Sequence, residues 1–180
     1  MAVLSDVDII ERIGNGDLVI DPYNEENVEP ASIDIRLGNS FKEPVKTGQI
    51  IDTASDEGQP YRSFEADSIV LESGESILAT TYEHIEIPAD LAADAVGRSS
   101  LGRLFVSIHE TAGFCDPGYC GEVTLEMTNE NPNPVRLHAG DRICQLVFKE
   151  LTSPALNPYG HDKSQYQGQR GATESGMNFD

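Results

Sequence analysis

Between Asp94 and Glu110 the chain carries no acidic residue, and inside that stretch lies Gly97-Arg98-Ser99-Ser100-Leu101-Gly102-Arg103. Arginine offers a planar fork of N–H donors that fits phosphate oxygens. Serine hydroxyls and nearby backbone N–H groups complete a cradle for an anion. If the stretch opens a helix, its first amides add to the pull. Surface arginines also pair with whatever carboxylates lie near them, which is the ordinary reading of such residues. The local removal of acid brings the anion reading level with it. The segment is not a P-loop, because GxxxxGK[ST] is absent.

A second group follows in Thr111-Ala112-Gly113-Phe114-Cys115-Asp116-Pro117-Gly118-Tyr119-Cys120-Gly121 and the run that ends in Leu125-Glu126. Asp-Pro-Gly-Tyr is a turn signal, so the flanks read as a hairpin with Asp116 at its shoulder. Val123, Leu125 and Met127 alternate with Thr124 and Glu126. Glu126 therefore shares a strand face with Thr124 and Glu122. If that face lines a cleft, burial raises the Glu126 pKa and suits it to shuttling protons. If the face is open, Glu126 is a solvated strand residue. The three cysteines, Cys115, Cys120 and Cys144, are odd in number and include no CxxC. They read as reduced thiols, and Cys115 and Cys120 with His109 match no common zinc spacing.

Residues 1–14 read as a short amphipathic helix, capped by Ser5 or Asp6, with Ile9, Ile10 and Ile13 on one side and Gly14 at its end. After Gly16 the pattern changes to short apolar-alternating runs cut by Gly, Pro, Asn and Asp. Examples are Ser32–Leu37, Ser68–Leu71, Ser76–Thr81, Glu122–Met127, Pro134–Leu137 and Arg142–Phe148. Such spacing predicts an all-β barrel or sandwich. Asp94–Phe105, rich in Ala, Val and Leu, reads as a helical turn. From Ser153 the composition shifts to Pro, Gly, Gln, Tyr and Asn. Between Leu151 and Thr173 only Asp162 is acidic, against Lys163 and Arg170. Tyr159, Tyr166, Gln167, Gln169 and Arg170 make this tail a second candidate anion contact.

The chain of 180 residues is one domain in length, 1–180, and long enough to bury a core without disulfides. Thirty-one Asp and Glu face twelve Lys and Arg, giving −19. Such a chain repels nucleic-acid phosphates and anionic membranes. No apolar run is long enough to cross a bilayer, and the acidic start lacks the layout of a signal peptide, so the expected place is the cytoplasm. Only four basic residues are lysine. Acid excess along a patterned chain with few lysines reads as adaptation to high salt, where self-repulsion is screened.

Five segments, in order, carry a resemblance. They are Pro30-Ala31-Ser32-Ile33-Asp34-Ile35-Arg36-Leu37-Gly38, Gly97–Arg103, Thr111–Gly118, Thr124-Leu125-Glu126 and Ser164-Gln165-Tyr166-Gln167-Gly168-Gln169. Together they resemble the dCTP deaminase family, relatives of the trimeric dUTPases, over nearly the whole chain. The resemblance implies a distorted, jelly-roll-like β-barrel homotrimer with active sites between subunits. It implies dCTP and dUTP as substrates, Mg²⁺ carried by the triphosphate rather than by protein ligands, and a tail, 153–180, that closes over the site. It implies phosphate binding by Arg98, Ser99, Ser100, Leu101, Gly102 and Arg103, and a catalytic role for Glu126. The resemblance further places Arg103 beside the reacting water and has Ser99 hold it. It implies that Asp116 faces the sugar 3′-hydroxyl. It implies further nucleotide contacts by Thr124, Leu125, Gln145, Tyr159 and Gln169. Where relatives have a lysine before Tyr-Gln-Gly-Gln this chain has Gln165, and Lys163 lies two residues earlier.

The implied reaction has Glu126 take a proton from water, which attacks C4 of cytosine, and return it as ammonia leaves. Zinc deaminases instead show H-x-E followed by P-C-x-x-C, and neither occurs here, so no zinc is expected at the base. Thr111-Ala112-Gly113-Phe114 and Tyr166–Gly171 resemble the members that go on to dUMP and pyrophosphate, with Gly113 leaving room for a second water. The alternatives are a deaminase that releases dUTP, a dUTP diphosphatase alone, and a non-catalytic nucleotide-binding barrel. Composition and resemblance together imply a halophilic archaeal source. Salt adaptation predicts a melting temperature that rises from low to molar KCl. Equal melting at both would refute it.

Overall fold

The structure, a computed structural model, describes residues 2–53, 58–109, 111–160 and 164–176. Helix α1 spans Asp6–Gly14. Ser5 caps it, and Ser5 and Asp8 exchange side-chain and backbone hydrogen bonds in a capping box. Of its isoleucines only Ile9 is fully buried; Ile10 faces solvent, because the helix lies against the barrel along a narrower stripe than the pattern implied.

Among the described residues the strands are β1 (Val19–Asp21), β2 (Val28–Glu29), β3 (Ser32–Pro44), β4 (Tyr61–Glu65), β5 (Ser68–Leu71), β6 (Ser76–Glu86), β7 (Leu91–Gly97), β8 (Val106–Ile108), β9 (Phe114–Cys115), β10 (Cys120–Asn129), β11 (Val135–His138) and β12 (Arg142–Glu150). Ten form one antiparallel sheet in the order β8-β10-β6-β3-β12-β7-β9, with β1 beside β6 and β2 and β4 beside β3; β5 and β11 form a separate ribbon. The sheet curls into the expected barrel-like, mostly β architecture. Ile33, Ile35, Leu37, Phe41, Leu91, Leu125, Met127 and Phe148 fill its interior.

Two local expectations fail. Leu91–Gly97 is a strand, and only Ser99–Gly102 forms a short helix, α2. Alanine favours helix, but β7 is paired on both edges, by β12 and β9, and that pairing overrides local preference. The Asp-Pro-Gly-Tyr turn forms, with Tyr119 N–H donating to the Asp116 carbonyl at 3.1 Å. Its flanks are not a hairpin, however. β9 pairs with β7, whereas β10 pairs with β6 and β8.

Strand β3 runs through the centre and carries a buried carboxylate. Asp34 is 1% exposed. Its Oδ2 lies 3.1 Å from Arg98 Nη2 and 3.2 Å from Arg142 Nη1, and its Oδ1 accepts from Gln145 Nε2 at 3.1 Å. Burial raises the Asp34 pKa, and the Arg98 charge, the Gln145 hydrogen bond and Arg142 offset that only in part. A buried charge persists only with such partners. Asp34→Ala is expected to cost on the order of 3 kcal/mol, since two cations lose a shared counterion. Urea unfolding reads the change, and unaltered stability would show that the cluster holds nothing in place.

Candidate active site

One face of β10, the loop before it and the tail residues Tyr159, Tyr166, Gln169 and Thr173–Ser175 line a cavity of about 430 Å³. Asp116, Thr124, Glu126, Tyr159 and Gln169, five of the residues singled out in the sequence, lie on its walls. The alternation along β10 is as expected: Val123, Leu125 and Met127 are buried, while Thr124 and Glu126 face the cavity. Leu125 is wholly in the core and lines no part of the cavity, so its expected substrate contact cannot come from its side chain.

The charge state of Glu126 departs from expectation. Its Oε2 accepts from His109 Nδ1 at 2.6 Å. The His109 backbone N–H also donates to the Glu126 carbonyl at 2.7 Å. Burial pushes the Glu126 pKa up, but the His109 hydrogen bond and charge outweigh it, and the carboxyl titrates below its ordinary value. The pKa is thus lowered where the cleft argument raised it. Glu126 is a carboxylate at neutral pH and already competent as a base. His109 itself is buried and sits in the left-handed region, at φ 53. A non-glycine residue there is held by its surroundings, here by its two bonds to Glu126.

The tail forms the opposite wall. Gln169 bridges to Gly121, and Glu122 N–H donates to the Gln169 carbonyl at 3.0 Å. Thr173 N–H donates to Thr124 Oγ1 at 3.0 Å, and Thr124 Oγ1 donates to Gln169 Oε1 at 3.4 Å. Tyr166 N–H donates to the Tyr159 hydroxyl at 3.0 Å. Gly118, at φ 88, has no space for a side chain: a Cβ there would stand 2.6 Å from Pro158 Cβ and 2.7 Å from the Tyr159 carbonyl. Gly113 is likewise required by contact. A Cβ there would lie 2.7 Å from the Ala95 carbonyl, so its smallness admits β7 rather than opening room in this cavity.

The other sequence-selected residues lie elsewhere. None of Arg98, Ser99, Ser100, Leu101, Gly102 or Arg103 lines the cavity of this chain. Arg98 caps α2 and is committed to Asp34, the ordinary ion-pair reading; Arg103 is exposed, with no ion pair among the described residues. Gln145 is held by Asp34 and Ser32. Gln165 is exposed and outside the cavity. Lys163 lies outside the described residues. The sequence reading weighed His109 only as a zinc partner of Cys115 and Cys120 and missed Tyr61, Thr173 and Glu174; all four line the cavity. Only the β8–β10 register, which places Met127 opposite Ile108, reveals that the next residue, His109, meets Glu126.

Among the described residues the lining holds Asp116, Glu126 and Glu174 but no lysine or arginine. Such a chamber suits a neutral, hydrogen-bonding group at its base better than a run of phosphates. A curled antiparallel sheet with a carboxylate–histidine pair in a tail-covered cavity defines a β-barrel protein with an acid–base site. The sequence profile of dCTP deaminase-like proteins matches residues 3–151, and the chain belongs to that family. It is 46% identical to a dCTP deaminase of Halorubrum lacusprofundi, over 99% of this chain and 92% of that one. It is 43% identical to a dUMP-forming dCTP deaminase of Methanosphaera stadtmanae, over 100% of this chain and 96% of that one. The dUMP-forming dCTP deaminase of Halobacterium salinarum shares 46%, over 99% and 96%. Among solved structures, the 2′-deoxycytidine 5′-triphosphate deaminase of Agrobacterium tumefaciens superposes with a TM-score of 0.63 at 23% identity, covering 83% of this chain and 48% of that one. That likeness confirms the fold.

His109→Ala removes the bond that stabilises the Glu126 carboxylate, so the Glu126 pKa is expected to rise. Carboxyl NMR titration of the two proteins measures it, and superimposable curves would show that His109 does not set the charge of Glu126.

Proposed function

We propose that this protein is a hydrolase that converts dCTP to dUMP, ammonia and pyrophosphate. The observation that carries the reading is a carboxylate, Glu126, held ionised by His109 inside a cavity walled by Asp116, Thr124 and Gln169. The full-length identity to dUMP-forming dCTP deaminases supports the second half of the reaction.

In the first step Glu126 takes a proton from a water positioned by Ser99 and Arg103, and the hydroxide adds to C4 of cytosine. The proton passes through Glu126 to the exocyclic amine, the C4–N bond breaks and ammonia leaves, while the hydroxyl proton ends on N3 as the C4 carbonyl of uracil forms. In the second step another water attacks the α-phosphorus, and the bond to the bridging oxygen breaks to release pyrophosphate. Asp116 accepts from the sugar 3′-hydroxyl. Thr124, Tyr159 and Gln169 fix the base and sugar. Gln145 acts through Asp34, and Lys163 or Gln165 supplies the tail's polar contact.

A triphosphate is poorly matched to a lining that, among the described residues, holds three carboxylates and no lysine or arginine. The segment Arg98–Arg103 is the natural counterpart, yet it lies off this chain's cavity, which supports a homotrimer in which a neighbouring copy delivers it. Mg²⁺ would enter with the triphosphate, since it prefers phosphate oxygens and water. Among the described residues, the one tight group of metal-capable side chains has imidazole and thiol donors unsuited to it. No helix of the described residues is long and apolar enough to cross a membrane. A cytoplasmic setting fits the three free cysteines, and a halophilic one fits the −19 charge and the halophilic relatives.

Incubation with dCTP and Mg²⁺ is expected to yield equimolar dUMP, pyrophosphate and ammonia. Accumulation of dUTP would overturn the dUMP-forming reading, and dUTP turnover without ammonia from dCTP would leave only a diphosphatase. Glu126→Gln is expected to slow deamination about 10²–10⁴-fold while nucleotide still binds. Wild-type inactivity with binding retained would make the protein a non-catalytic module.

A further inference from the structure

A second cluster of reactive side chains lies where β6 ends beside the start of β10. Cys120 stands opposite Glu86 in the ladder, and Glu122 opposite His84. His84 and Glu86 are two apart on β6, so both project from the face that also carries Cys120. His84 Nε2 lies 3.1 Å from Glu86 Oε1 and 3.6 Å from Cys120 Sγ, and all three ligand atoms fall within 4.8 Å of one another. Both polar contacts of the His84 ring go through Nε2; its Nδ1 is buried with no hydrogen-bond partner. An imidazole nitrogen, a thiol sulfur and a carboxylate oxygen thus converge on one shared point.

We infer that His84, Glu86 and Cys120 form a binding site for a soft divalent transition-metal ion, zinc foremost. A tetrahedral zinc ion, with Zn–S about 2.3 Å and Zn–N or Zn–O about 2.0 Å, separates sulfur from nitrogen by about 3.5 Å and nitrogen from oxygen by about 3.3 Å. The observed 3.6 Å and 3.1 Å match those edges before any ion is added. Thiolate, imidazole and carboxylate form a donor set that favours zinc over magnesium or calcium. The Glu86 side chain is 49% exposed, which gives the ion an entry path and leaves a fourth position to water. On the far side of His84, Asp21 of β1 stands opposite it in register, so another carboxylate flanks the site. Burial and the Glu86 charge keep the Cys120 thiol protonated, so binding releases a proton.

None of the three residues lines the catalytic cavity, so the site takes no part in the proposed chemistry. It is nevertheless joined to the tail. Cys120 N–H donates to Gln167 Oε1 at 3.1 Å, and Gly168 N–H donates to the Cys120 carbonyl at 2.7 Å. A metal bound there would clamp the strand end on which the tail is seated.

The test titrates the full chain, stripped with a chelator, with Zn²⁺ alone against a chromogenic competitor. One ion per chain is expected. Cys120→Ser and His84→Gln should each weaken it at least tenfold, while Cys115→Ala leaves it unchanged. With Co²⁺, a thiolate-to-cobalt charge-transfer band should appear in wild type and vanish in Cys120→Ser. Absence of stoichiometric binding, or equal affinity in wild type and both ligand variants, would overturn the site. If Cys120→Ser does not fold, His84→Gln decides alone.

Discussion

The buried carboxylate of Asp34 ties together parts of the chain that are far apart in sequence. It sits on the central strand β3 and draws in Arg98 at the head of α2, and both Arg142 and Gln145 from β12. A lone charge at that depth would be costly, so each partner is fixed in return. Arg98 is thereby prevented from swinging freely, and the four-residue helix after it is presented from a fixed base. The Arg98–Arg103 segment, proposed to meet phosphates, takes its orientation from a residue that meets no substrate.

Charge is then divided between two surfaces. The cavity is lined by Asp116, Glu126 and Glu174, with His109 as its basic partner. Arg98 and Arg103 lie on another part of the same chain. Under the proposed reading, base and sugar enter an acidic chamber, while phosphates are met by cations from a neighbour. His109 does two things at once. Its side chain keeps Glu126 ionised, and its backbone closes the end of β8 against β10.

The barrel was legible because short apolar runs are cut by turn residues along the chain, and period-two alternation is clean in Val123–Met127; the central strand β3, buried on both faces at Ser32–Ile35, does not alternate. The face of Glu126 followed from that alternation alone. Its pKa did not, because the partner that sets it lies just past a strand three residues long whose register no local pattern announces. Local preference also misread Leu91–Gly97, where pairing on both edges outweighs alanine's taste for helix. The purge of acid around Arg98 and Arg103 marked a real feature, but it could not tell which arginine Asp34 had already engaged. Sequence order alone likewise could not separate the residues that share one chamber from those turned away from it.

The contact at Gly118 has a consequence for how such a chain can diverge. The turn at 116–118 and tail residues 158–159 are pressed so closely that a side chain at 118 would collide with Pro158 and Tyr159. Any lineage that places a side chain at 118 must rebuild Pro158 and Tyr159 at the same step, and Tyr159 in turn anchors Tyr166. The turn that carries Asp116 and the tail that covers it are therefore one heritable unit, free to vary together and constrained against varying apart.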